Sequence, residues 1–141
     1  MNLSIHPIET LSKSGRPYVG KQISAGFPSP AEDYLENILD LNDLLVKHPN
    51  ATFYARVTGD SMKDAGVDNG DLLVIDKSLE YRHNALAVCF IDNEFTLKRI
   101  RKVRQQLYLV PANPVYEPIA VAEDAEFVVW GIVTYVIKKA Y

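Results

Sequence analysis

After residue 51 the chain alternates between short apolar runs and tight polar turns. Residues 52–58 alternate strictly, with Phe53, Ala55 and Val57 on one face. Further short apolar runs lie at 72–75, 85–91, 94–100, 106–110 and 126–137. Turn signals such as Asp68-Asn69-Gly70-Asp71 separate these runs. The pattern predicts a mostly β fold, compact and built from antiparallel strands.

The segment before residue 50 has a helical pattern instead. Ser29, Pro30 and Glu32 form the signal of a helix N-terminus, with a capping serine and a proline in the first turn. Leucine and isoleucine positions over 35–45 then supply an apolar face. A break near Asp40 divides this face, so the pattern predicts one or two short N-terminal helices.

The first 30 residues differ in composition from the rest. They contain four of the eight prolines and no sustained apolar stripe. Residues 1–25 carry a net charge of +2, and residues 26–141 carry −5. We therefore expect an extended N-terminal arm over 1–25 that lies on a β-rich domain formed by 26–141.

The overall composition limits the function further. The chain has 141 residues, 48% of them hydrophobic, which suits one domain with one core. A net charge of −3 argues against a protein that binds nucleic acid mainly through phosphates. The single cysteine, Cys89, excludes an internal disulfide and a four-cysteine zinc site. The longest apolar run has seven residues, whereas a membrane span needs about 20. We expect a cytoplasmic protein that does not enter a membrane.

One candidate for chemistry is Ser61, which follows the 52–58 strand after a glycine. None of the three histidines is well placed to act as its base. His6 lies in the arm, His48 at a helix end beside Pro49 and His83 in a polar turn, and we expect all three to be exposed surface residues. A lysine acts as a base only where apolar surroundings disfavour its charge. Lys98 lies inside an apolar strand, where alternation places it on one face with Thr96 and Ile100. From the residues alone, Ser61 and Lys98 are either a catalytic dyad or a loop hydroxyl and a strand-surface lysine.

Three motifs favour the dyad. They are Gly59-Asp60-Ser61-Met62, the run from Asn69 to Asp76, and Glu94-Phe95-Thr96-Leu97-Lys98-Arg99. Their order, and the 37 residues between serine and lysine, resemble the LexA/UmuD family of self-cleaving serine-lysine peptidases. The resemblance implies the curved antiparallel sheets of a LexA-like C-terminal domain. It also implies that Ser61 is the nucleophile, that Lys98 is the general base, and that backbone N–H groups at Asp60 and Ser61 hold the oxyanion. We accordingly expect neither a cofactor nor a metal ion.

The same resemblance implies that the substrate is the protein's own chain, cut at a small residue followed by glycine. Ala25-Gly26 fits this description, and it lies at the composition boundary. Small residues let an extended backbone enter a narrow cleft. Some members have cysteine before the glycine, and alanine at this position leaves the chemistry intact.

The length of the arm favours one branch of the family. Only 25 residues precede Gly26, too few for a helix-turn-helix domain with its own core. The chain therefore resembles the branch that serves error-prone translesion polymerases in the SOS response to DNA damage. That branch implies a homodimer, activation by a RecA filament on single-stranded DNA, and a processed form that joins a UmuC-type polymerase subunit. The alternatives are a non-catalytic β-rich protein-binding module and a truncated LexA-like repressor.

A basic cluster overlaps the third motif. It comprises Lys98, Arg99, Arg101, Lys102 and Arg104. The cluster suits an acidic partner or DNA, or simply the solvated rim of a hairpin. Because the whole chain is acidic, we favour the rim and expect direct nucleic-acid binding to be weak or absent.

Overall fold

The computed structural model describes residues 2–7, 15–19, 35–59, 62, 65–110, 117–123 and 126–141. Within these ranges the chain forms ten β-strands, the α-helix α1 (Leu41–Leu45) and a 3₁₀ turn (Pro49–Ala51). The strands are β1 (Asn2–Pro7), β2 (Gly15–Val19), β3 (Leu35–Asp40), β4 (Thr52–Thr58), β5 (Leu72–Asp76), β6 (Ala85–Ile91), β7 (Glu94–Val103), β8 (Gln106–Val110), β9 (Ile119–Ala120) and β10 (Phe127–Ile137). None of the described helical segments is long and apolar enough to cross a membrane.

Eight of these strands form one antiparallel sheet, in the order β1-β4-β5-β10-β6-β7-β8-β9. The mostly β, antiparallel fold class predicted from the sequence is confirmed. β4, β6 and β8 have the predicted bounds, and the other predicted strands differ by three residues at most. Short apolar runs between turn signals therefore located most of the sheet.

β10 is the last strand in the sequence but lies in the middle of the sheet, between β5 and β6. Its pairing register shifts between Val129 and Gly131 against β6, and between Val133 and Tyr135 against β5. Such bulges bend a strand and increase its twist. β1 at one edge also approaches β7, although four strands separate them in the sheet order. The sheet is therefore strongly curved.

Two apolar clusters pack against opposite faces of the central strands. The first includes Val88 of β6 and Leu97 of β7, and the second includes Cys89 of β6 and Ile100 of β7. Neighbouring residues along a strand point to opposite faces, so β6 buries side chains on both. This explains why its sequence is a continuous apolar run rather than an alternation.

The helix predicted over 35–45 is wrong for its first half. Residues 35–40 form β3, which pairs with β2 in a separate two-stranded sheet. The spacing of apolar residues cannot distinguish a helix from a strand here, because the strand forms by pairing with β2, which lies about 20 residues earlier in the chain. The break predicted at Asp40 is where the helix begins: Asp40 caps α1 by accepting a hydrogen bond from Asn42 N–H at 2.9 Å. The capping signal at residues 29–32 lies outside the described residues.

The start of the expected arm adds a strand to the main sheet. β1 pairs antiparallel with β4, from Asn2 opposite Thr58 to Pro7 opposite Phe53. Leu3 and Ile5 pack against the first apolar cluster, whereas Ser4 and His6 are exposed. This segment is therefore extended and lies on the β domain at the edge of its sheet.

Candidate active site

Lys98 lies in the middle of β7, half-buried, directly opposite Ala87 of β6. Its neighbours on the same face, Thr96 and Ile100, lie opposite Cys89 and Ala85. Residues directly opposite each other on antiparallel strands share a face of the sheet. The predicted alternation of β7 is therefore confirmed, and Lys98 projects on the face of the second apolar cluster.

The surroundings of Lys98 are apolar. Ala87, Cys89 and Ile100 are fully buried. Burial raises the pKa of the Cys89 thiol to about 12, and the positive charge of Lys98 offsets part of this rise. Cys89 is thus a neutral core residue rather than a second nucleophile.

Ser61 and Asp60 lie outside the described residues, whereas Gly59 before them and Met62 after them are described. Before them, Gly59 adopts a φ of 100°, and its N–H donates to the Asn69 side chain at 2.9 Å. After them, Met62 is 2% exposed, and its carbonyl accepts hydrogen bonds from Ala65 and Val67. In the sequence, Ser61 therefore lies between a hydrogen-bonded glycine at the end of β4 and the buried Met62.

The turn predicted at 68–71 supports this loop. Gly70 N–H donates to the Val57 carbonyl at 2.8 Å, and Val57 N–H donates to the Asp71 carbonyl at 2.9 Å. Gly70 has a φ of 90°, which favours glycine. The connection from β4 to β5, which carries Ser61, is thus closed at its base.

Lys138 contributes to the same turn, a role that the sequence analysis missed. Its ammonium contacts the carboxylates of Asp68, at 2.6 Å, and Asp71. Burial would raise the pKa of Asp71, but hydrogen bonds from Asp68 N–H and Lys138 outweigh it and lower that pKa. Nothing in the local sequence indicates this contact, because the partners are about 70 residues apart and Lys138 lies in an ordinary charged tail.

The histidines are placed as follows. His6 is exposed, with its Nε2 2.9 Å from Ser4 Oγ, and His83 lies in an exposed turn. His48, predicted to be a surface residue, is half-exposed but paired: its Nδ1 lies 2.6 Å from Oδ2 of buried Asp76. A cavity of about 290 Å³ adjoins this pair.

The basic cluster does not form one patch. Arg99 and Arg101 point to the face of Leu97, whereas Lys98 and Lys102 point to the opposite face. Arg99 donates to the Asn84 carbonyl at 2.7 Å, and no ion pair involves the cluster within the described part of the chain. The pleat thus separates Lys98 from the adjacent arginines. The expectation of weak nucleic-acid binding stays a prediction.

The expected cleavage bond, Ala25-Gly26, also lies outside the described residues. Its position in the chain is nevertheless informative, because it falls in the 20–34 connection between β2 and β3. These two strands pair with each other, from Gly15 opposite Asp40 to Val19 opposite Leu35.

Comparison with known proteins identifies the family. Residues 17–134 match the Peptidase S24-like family. The chain is 42% identical to protein MucA of Escherichia coli over 120 residues, 84% of this chain and 82% of that protein. It is 41% identical to protein ImpA of Shigella flexneri over 132 residues, 88% and 84% of the two chains. It is 39% identical to protein SamA of Salmonella typhimurium (strain LT2) over 139 residues, 99% and 96% of the two chains. The expected resemblance is confirmed: the chain belongs to the Peptidase S24-like family.

Proposed function

We propose that this protein is a self-processing serine peptidase that cuts its own chain between Ala25 and Gly26. Ser61 is the nucleophile and Lys98 the general base. The observation that carries the proposal is the half-buried position of Lys98 on β7, among fully buried apolar neighbours. Membership of a peptidase family and the hydrogen bonds of Gly59 and Met62, which lie on either side of Ser61 in the sequence, support it further.

The reaction needs few groups. Neutral Lys98 accepts the proton of the Ser61 hydroxyl as the oxygen attacks the Ala25 carbonyl carbon. Backbone N–H groups at Asp60 and Ser61 stabilise the oxyanion. Lys98 then returns the proton to the leaving amine of Gly26, and the Ala25 acyl group remains on Ser61. A water, deprotonated by Lys98, releases this acyl group as the Ala25 carboxylate and restores the serine.

The proposed biological role is that of the family branch that the chain resembles. In this proposal the cut occurs in the cytoplasm during the SOS response, and a RecA filament on single-stranded DNA stimulates it. The processed homodimer of residues 26–141 then joins a UmuC-type subunit as the accessory part of an error-prone translesion polymerase. The similarity to MucA, ImpA and SamA over most of each chain supports this branch.

The test is intact mass spectrometry after incubation at pH about 10, where a much larger fraction of a lysine amine is neutral than at pH 7, without an activator. Wild-type protein should yield a fragment beginning at Gly26, and Ser61→Ala and Lys98→Ala should both remain whole. Lys102→Ala is the matched control, because Lys102 is an exposed lysine on the same strand and face. It should be cut at the wild-type rate.

A second arm tests the activator near pH 7.5. A RecA filament on single-stranded DNA should accelerate the cut in wild-type protein and leave both dyad variants intact. A wild-type chain that stays whole at high pH and with the filament contradicts the proposal. The non-catalytic binding module is then the better description.

A further inference from the structure

The segment preceding the expected cut is bound to the sheet as a strand. Val57 directs its N–H and carbonyl toward Asp71 and Gly70 on the β5 side. Backbone N–H and C=O groups of successive residues point to opposite sides of an antiparallel strand. The N–H and C=O groups of Arg56 and Tyr54 therefore point toward β1. They lie opposite Ser4 and His6.

The position of the proline in β1 fits this arrangement. Pro7 has no N–H, and it lies opposite Phe53, whose backbone groups point away toward β5. Side chains contribute as well, because Leu3 and Ile5 pack on the first apolar cluster beside Val57 and Ala55. β1 therefore binds β4 through both its backbone and alternate apolar side chains.

A second pairing connects the two sides of the expected cut. β1 and β2 precede residue 25, and their partners β4 and β3 follow it. Breaking the 25–26 bond removes the covalent link but none of the described strand contacts. Two separate pairings thus remain between the arm and the domain.

We propose that the edge of β4 is a peptide-binding site whose ligand is the excised arm, residues 1–25. The inference rests on the proposed cut. In this proposal, cutting the chain and releasing the arm are two separate steps. After the cut, the arm stays bound to the domain as a nicked complex until another molecule displaces it. β1 begins opposite Thr58, three residues before Ser61 in the sequence, so a retained arm also stays paired with the end of β4 that leads to Ser61.

The experiment makes the nick without the protein's own chemistry. A recognition sequence for a specific protease is inserted between residues 25 and 26 of the full chain carrying Ser61→Ala. After digestion, denaturing mass spectrometry should give two fragments. Native mass spectrometry at about 1 µM should give, per protomer, the mass of the uncut chain plus one water.

Two variants test whether β4 is the site. Ile5→Asp places a charge in the apolar contact and should weaken retention of the arm about tenfold or more. Ser4→Asp adds the same charge one residue earlier, on the exposed face, and should retain the arm like the parent chain. Urea unfolding of both uncut variants verifies that they fold.

A labelled peptide of residues 1–25 provides a measurement that needs no variant. It should exchange into the nicked parent protein and not into the uncut chain. Immediate loss of the arm on nicking overturns the proposal, and so does equal retention by Ile5→Asp and Ser4→Asp. A failure of self-cleavage would leave these results unchanged, since an added protease makes the cut.

Discussion

At the scale of single residues, Gly131 shows how closely the central strands pack. A Cβ at this position would lie 2.6 Å from Cγ2 of Ile75, which is fully buried. Overpacking of this kind costs about 1–3 kcal/mol. We expect Gly131→Ala to lower the free energy of unfolding by that amount, measured by urea denaturation. Val128→Thr, on an exposed position of the same strand, is the control and should change it by less than about 0.5 kcal/mol.

A second residue-scale prediction concerns Asp76. Burial would raise its pKa, but hydrogen bonds from Ser78 and His48 outweigh this and hold the pKa below its ordinary value. An aspartate in the unfolded chain titrates near pH 3.9. As the pH falls toward that value, the unfolded chain takes up the proton first, and the folded state loses stability.

Asp76→Asn should therefore flatten the decline in stability between about pH 5 and pH 3. At pH 7 it should cost about 1–3 kcal/mol, because a charged hydrogen-bond acceptor is lost. Urea midpoints at a series of pH values measure both effects. Asp92→Asn, in an exposed turn whose positive φ suits asparagine, should keep the wild-type pH profile. An identical profile for Asp76→Asn would contradict the assigned role.

At the scale of elements, the end of the chain after β10 supports the connection between β4 and β5. Lys138→Met removes the cation that joins Asp68 and Asp71. Contacts of this type contribute up to about 1 kcal/mol. We expect roughly fivefold faster amide exchange at Val57 and Gly70, whose N–H groups close the base of the connection. Lys139→Met is the control, and an equal effect there would indicate a general loss of charge instead.

The sequence predicts a strand correctly where the strand is determined by its own residues rather than by a distant partner. β6 was located because an apolar run between turn signals is a local feature, and alternation placed Lys98 on the correct face. β3 was predicted as a helix because its partner β2 is distant in the chain. The contact of Lys138 with Asp71 was missed for the same reason. The pairing of Ser61 with Lys98 came from the family spacing, since no strand pattern relates the two residues, and it stays a prediction.

At the scale of the whole molecule, the sheet consists of separate hairpins. The β4–β5 hairpin carries the loop of Ser61, and the β6–β7 hairpin carries Lys98. β10 lies between them and pairs with β5 on one side and β6 on the other. The relative position of the two hairpins therefore depends on the last strand in the sequence.

This order has a consequence during protein synthesis. While the ribosome still holds the final residues, both hairpins have emerged, but the strand that joins them has not. A nascent chain should therefore be unable to assemble the proposed dyad, and we expect the proposed cut only after β10 has joined the sheet. Chains stalled on the ribosome at residue 141, so that β6 and β7 have emerged and β10 has not, should stay whole near pH 7.5 with the RecA filament, whereas the same chains are cut after release. Under the proposed function, completion of translation is a requirement for the cut that is separate from any response to DNA damage.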